Sequence, residues 1–140
     1  QVQSTDIDAS HGEAEVQRVE VSQLHGIEEY GEERVKDLLH EITTLGMWTV
    51  PIIISKSTNL VLDGQHRLEA AKRLGLSVLP AVAVHYQEVA VWSLRKEIRV
   101  DSKRVEKKVL KDKAVYPYKT VKHKFPFDIP SIQIPLDELR

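Results

Sequence analysis

The sequence predicts an α/β (α+β) protein, a small mixed sheet with helices packed against it, and three features carry that expectation. Strand-length apolar runs recur at Val50–Ile54 ("VPIII"), Leu60–Asp63 ("LVLD") and Val78–Val84 ("VLPAVAV"). Before them, Val35, Leu38, Leu39, Ile42 and Leu45 repeat at helical spacing. The second run stops at Asp63-Gly64 and passes at once into a second helical pattern, from about Gln65 to Leu74. Strands alternating with helices in 140 residues fit one layered core.

Taken in order, residues 1–14 ("QVQSTDIDASHGEA") are polar and aperiodic and read as a disordered tail, with residues 15–140 forming one domain. Val16, Val19 and Val21 alternate loosely, as in an edge strand. The helix over Glu32–Leu45 has Glu32 and Glu33 in its first turn, where carboxylates complement the helix dipole, and Gly46 as its stop. "SKST" with Asn59 turns the chain between two strands. The next helix packs Leu68, Ala71 and Leu74 and stops at Gly75. "VAVWSL" extends the sheet or begins a crossover, and Trp92 within it reads as core before it reads as ligand. Asp101–Ala114 predicts a charged helix with Ser102 as N-cap and a thin stripe of Val105, Val109 and Leu110. The segment 115–140 is punctuated by proline and predicted to be extended, with "SIQIPL" able to add one last strand.

Composition narrows the function classes. The 20 basic and 21 acidic residues give a net charge of −1, so no global field favours nucleic acid. Cysteine is absent, which excludes disulfides, thiol catalysis and cysteine-ligated zinc. No apolar run approaches the ~20 residues that span a bilayer, and no signal-peptide pattern opens the chain, so a cytoplasmic protein is expected. Walker A chemistry is excluded because G-x-x-x-x-G-K-[ST] does not occur.

The junction "DGQHR" (Asp63–Arg67) carries the chemistry. A helix that starts at the end of a strand points unpaired N–H groups at whatever lies beyond the sheet edge, which suits an anion. Gly64 permits a sharp turn, Arg67 can clamp phosphate with two donors, and His66 can donate or shuttle a proton. Basic groups in a first turn oppose the dipole by roughly 0.3–1 kcal/mol each, a cost an anion between them offsets. An ordinary Asp-Gly turn followed by a salt-bridged arginine explains the same residues about as well.

"DGQHRLEAAKRLG" resembles the signature of the ParB-like/sulfiredoxin superfamily, in which a strand–turn–helix of form G-x-x-R-x-x-A holds nucleotide phosphates; Gly64, Arg67 and Ala70 match. The resemblance spans about Val16–Val84 and implies that fold. Sulfiredoxins carry a cysteine where this chain has Gln65, and partitioning ParB proteins carry a "GERR"-like motif followed by a helix-turn-helix that is not seen after Val84. The free L-serine kinases are similar twice, in D-G-x-H-R and in "YPYKTVKHKFPFDIP", where Lys119, Thr120, His123, Phe125 and Pro126 match and Val121 and Lys122 replace Thr and Arg.

That resemblance implies transfer of a phosphoryl group from ATP or ADP, with Mg²⁺, to the hydroxyl of L-serine. It makes Glu28 the base, with Glu29 as alternative, and Asp63 the carboxylate facing hydroxyl or metal. Gly64, Gln65, His66 and Arg67 would hold the nucleotide phosphates. Lys119, Thr120 and His123 would grip the substrate, with Trp92 or Tyr86 as a wall of its pocket. Without the resemblance, Glu28 and Glu29 read as part of an acidic surface loop with Glu32 and Glu33, and "KTVKHK" as a solvated basic segment. The alternative function is a CTP-binding ParB-like switch or DNA-associated module without kinase activity.

Overall fold

The computed structural model describes residues 14–140; the expected tail, apart from Ala14, lies outside them. Strand β1 is Val16–Glu20, helix α1 Glu32–Leu45, β2 Met47–Trp48, β3 Ile52–Ser55 and β4 Val61–Asp63. Helix α2 is Gln65–Arg73, β5 Val78–Val84 and β6 Ala90–Ser93. Helix α3 is Ser102–Glu106, followed by β7 Val121–Lys124 and β8 Ile134–Pro135.

Four strands form a mixed sheet in the order β1-β5-β3-β4, with β3 and β5 parallel and the outer pairs antiparallel. The central strand shows why its sequence is apolar without alternation. Ile52 and Ile54 pack on one side with Ile42, Trp48, Leu68 and Leu79. Across the sheet, Leu60 and Leu62 join Ile27, Tyr86, Val105 and Tyr116 in a second cluster. A strand covered on both faces has no polar face to display. Helices α1 and α2 are tied by Arg73, whose two terminal nitrogens each lie 2.7 Å from a Glu32 carboxylate oxygen. The left-handed Gly46 (φ 72°) ends α1 as predicted.

Several expectations are corrected. "VPIII" pairs only from Ile52 onward, since Pro51 has no N–H to give a ladder. "VAVWSL" neither extends the sheet nor crosses it: β6 pairs with β7 in a separate ribbon. The predicted "SIQIPL" strand shrinks to Ile134–Pro135, which pairs with Met47–Trp48. The predicted helix over Asp101–Ala114 is capped by Asp101, whose side chain accepts from the Arg104 N–H at 2.8 Å, and not by Ser102. It runs as α-helix only to Glu106 and then widens into a π-helical turn over Lys107–Lys111. The wider turn lets Val109 and Leu110, adjacent in sequence, both pack against the cluster that buries Val105. Trp92 is not core: it lies opposite Lys122 on the outer face of the ribbon, 43% exposed.

Candidate active site

The end of β4 and the start of α2 meet with a single residue between them. Gly64 makes the turn at φ 113°, where a side chain is strained, and an added Cβ would lie 2.7 Å from Ile52 Cγ2. Both demands exclude any other residue. Gly64→Ala is expected to destabilise the fold by about 2–4 kcal/mol through backbone strain and overpacking, read as a lowered urea midpoint. Beyond this turn the first N–H groups of α2 have no intrahelical acceptor and open onto a cleft of about 270 Å³.

Three distant segments line that cleft. Asp63, Gly64, Gln65 and His66 come from the junction, Glu28 from the loop before α1, and Lys119 and His123 from the turn into β7 and from β7 itself. Lys122 and Phe125 from the quoted kinase-like segment also line it, as do Leu94 and Tyr118, which sequence reasoning did not single out. Tyr118 lies inside the quoted "YPYKT" and was the most accessible of these; Leu94 carries no pattern of its own.

Glu28 is held more tightly than any other predicted residue. Its Oε1 accepts from the N–H groups of Thr120 at 3.0 Å and Val121 at 2.7 Å, and its Oε2 from that of Lys119 at 3.2 Å. Lys119 adopts φ 59°, the left-handed conformation that turns successive N–H groups toward one point as an anion-binding nest. Backbone bonds between Tyr116 and both Ile27 and Glu29 fix the loop on either side. Glu29 lines a neighbouring cavity of about 450 Å³ with Tyr30 and Glu69, and the cleft receives only Glu28 of the pair.

The remaining predicted residues fall into two groups. In the first, the side chain is engaged within the protein. The Gln65 amide accepts from Ile27 N at 3.0 Å and donates to the Val61 carbonyl at 2.6 Å, so both ends of the amide are engaged and brace the loop before Glu28. The Thr120 hydroxyl donates to the Pro117 carbonyl at 2.6 Å and accepts from Arg95 Nε at 2.9 Å, with no exposed surface. His66 Nε2 accepts from Gly31 N at 3.0 Å. Burial, then Arg34 and Arg67, lower the His66 pKa, which keeps the imidazole neutral. The first turn of α2 therefore carries one cation, Arg67, rather than two.

His123 sits 2.9 Å through Nε2 from the Tyr86 hydroxyl. Burial pushes its pKa down to about 4, against a smaller opposing effect of the Leu62 carbonyl. Tyr86 is buried behind His123 and does not line the cleft, and neither does Trp92.

In the second group the side chain forms no hydrogen bond or ion pair among the described residues. Lys119 places its ammonium 5.3 Å over the Tyr118 ring at the cleft, and Asp63 lines the same cleft. Arg67 turns the other way, into a cavity of about 210 Å³ lined by Leu38, Glu41, Met47 and Trp48. Burial lowers its pKa, with Asp63 and Glu41 opposing and Arg34 assisting, and it forms no ion pair within 4 Å among the described residues. The N-terminus of α2 thus has a chamber on each side, one with an unpaired guanidinium and one with a clamped carboxylate.

The model of the ParB N-terminal domain family matches residues 3–95. The chain belongs to that family. Two relatives of this ParB-family chain match shorter stretches. An ATP-dependent L-serine kinase of Staphylothermus marinus is 36% identical over 72 residues, 49% of this chain and 29% of the relative. A ParB-like protein of Sulfolobus acidocaldarius is 40% identical over 47 residues, 31% of this chain and 24% of the relative. The match thus spans less than a third of either relative's length. Among solved structures, free serine kinase in complex with AMP superposes with a TM-score of 0.82 at 15% identity, covering 91% of this chain and 94% of the other. SbnI of Staphylococcus aureus with a C-terminal truncation gives 0.77 at 13% identity, over 94% and 90%. At these identities the likeness establishes a shared fold.

Proposed function

We propose that this chain is a nucleotide-dependent kinase that transfers a phosphoryl group to the hydroxyl of free L-serine, giving O-phospho-L-serine. The observation that carries the reading is the convergence of Glu28, the Asp63–His66 junction and Lys119 on one cleft at the N-terminus of α2. The kinship with an ATP-dependent L-serine kinase and the fold shared with an AMP-bound free serine kinase support it.

In this reading the nucleotide lies across the start of α2. Its phosphates meet the unpaired N–H groups of the first turn, with Arg67 below them and the base in the chamber walled by Leu38, Met47 and Trp48. The acceptor occupies the cleft. Three of about four lone-pair positions of the Glu28 carboxylate are taken by N–H groups, and the fourth, on Oε2, remains to receive the serine proton. The serine oxygen then attacks the terminal phosphorus, and the bond to the bridging oxygen breaks, releasing the nucleotide one phosphate shorter. Lys119 neutralises charge on the transferred group.

Among the described residues no cluster of three or more metal-ligating side chains exists. A lone Asp63 beside the phosphate site nevertheless fits Mg²⁺, which takes one or two carboxylates and completes its shell with phosphate and water. When bound, that ion would supply charge neutralisation on the phosphates.

The test is incubation with Mg²⁺ and L-serine, with ATP and separately with ADP, following O-phosphoserine by mass spectrometry. Product with one donor is expected and names it. No product with either, together with a thermal shift on CTP, would overturn the kinase reading in favour of a nucleotide-binding switch.

A further inference from the structure

The turn that meets Glu28 is gripped from behind as well. Arg95 follows β6 and is half-buried. Its Nε donates to the Thr120 hydroxyl at 2.9 Å and a terminal nitrogen donates to the Tyr118 carbonyl at 2.6 Å. The arginine is itself anchored: Ser93 Oγ accepts from Arg95 N at 3.0 Å and donates to its carbonyl at 2.8 Å. The Thr120 hydroxyl passes the constraint on to the Pro117 carbonyl, and Leu94 N bonds the Thr120 carbonyl at 2.8 Å. Four residues, Pro117 to Thr120, are thus held by one planar fork on one side while Glu28 occupies the nest on the other.

This bracing answers a physical need. Lys119 sits at φ 59°, a conformation a lysine leaves readily unless its neighbours are fixed. If it relaxed, the N–H groups of Lys119, Thr120 and Val121 would no longer converge, and Glu28 and the Lys119 ammonium would both shift. Arg95 does not line the cleft, so it touches neither acceptor nor nucleotide. A guanidinium suits the task because its donors have fixed relative directions, one meeting a hydroxyl and another a carbonyl; an ammonium on a flexible stem cannot fix both partners in that geometry.

We propose that Arg95 is a positioning residue for the acceptor half of the site, keeping the turn Pro117–Val121 in the conformation that places Glu28 and Lys119. The kinetic part of this inference rests on the proposed kinase function, whereas the conformational part does not.

Arg95→Ala and Arg95→Lys are compared with the unsubstituted chain by amide hydrogen exchange and by steady-state kinetics. Exchange at Lys119, Thr120 and Val121 should rise at least tenfold in both variants while β3 and β5 keep their protection. The KM for serine should rise by about tenfold or more, with the donor KM unchanged, as expected when binding groups lose their placement. The lysine variant should resemble the alanine variant. Unchanged exchange at 119–121, a loss of protection throughout the sheet, or a lysine variant equal to the unsubstituted chain would each overturn the proposal. If the unsubstituted chain forms no O-phosphoserine, the kinase reading fails by itself and the exchange measurement still decides whether Arg95 fixes the turn.

Discussion

Glu28→Gln is expected to lower the turnover number for O-phosphoserine formation by about 10²–10⁴-fold, the usual worth of a positioned general base. Two losses combine. A glutamine has no proton affinity to offer the serine hydroxyl. Its Nε2 is also a donor, so one of the three N–H groups now converging on the carboxylate would face another donor. The chamber proposed for the nucleotide base is lined by neither Glu28 nor its N–H partners, so donor affinity, measured by calorimetry, should stay within about twofold, as for a site sharing no partners with the change. Glu29→Gln provides the contrast. Glu29 lines the neighbouring cavity, and turnover should fall by less than about threefold, the scale of a surface change near ±0.5 kcal/mol. If Glu28→Gln keeps full turnover, or if Glu29→Gln is the variant that loses it, the assignment of the base is wrong.

The second large effect is on stability. His123 is held neutral in the folded protein with a pKa near 4, mainly by burial, whereas in the unfolded chain it titrates near 6.5. Below 6.5 the unfolded state binds a proton that the folded state refuses until pH falls to about 4. Stability therefore rises with pH across this window and is lost as pH falls through it. The loss between pH 7.5 and pH 5 should be about 2 kcal/mol, measured from urea unfolding at the two values. Replacing His123 by Gln should flatten that difference even if it lowers stability overall. An equal loss between the two pH values in both proteins would show that other groups carry the acid sensitivity. Lowering of the His66 pKa acts in the same direction, and the variant separates the two contributions.

The two sites behave differently because their groups do. A carboxylate can exchange its water for a nest of N–H groups, as Glu28 does. An imidazole pressed between Tyr86 and Phe125 loses its hydration without gaining a counter-charge, and so stays neutral. His123 is therefore suited to shaping the cleft and holding Tyr86, and Lys119 and Lys122 are the cationic groups that this segment brings to the cleft.

Local order along the chain was enough to specify a good deal. The helical repeat of Val35, Leu38, Leu39 and Ile42, the apolar runs at Ile52–Ile54 and Val78–Val84, and the Asp63-Gly64 stop all depend on neighbours within a few residues, and each formed as its pattern demanded. The junction and the "YPYKTVKHKFPF" segment pointed to phosphate chemistry and to the ParB-like fold for the same reason: their information is written in consecutive residues. What tertiary structure decided was the direction and engagement of side chains. Gln65 and Thr120 read as ligand-binding groups, yet Gln65 bonds backbone atoms 38 and 4 residues away, and the Thr120 hydroxyl bonds a carbonyl 3 residues away and the Arg95 guanidinium. Trp92 read as core, but a two-stranded ribbon has an outer face and the period-2 alternation put it there. Arg67 and His66 are adjacent in sequence but, about 100° apart on a helix, line different cavities. Arg95 had no local signal at all. Its role exists only because the chain returns, 23 to 25 residues later, to put a carbonyl and a hydroxyl within reach of one guanidinium.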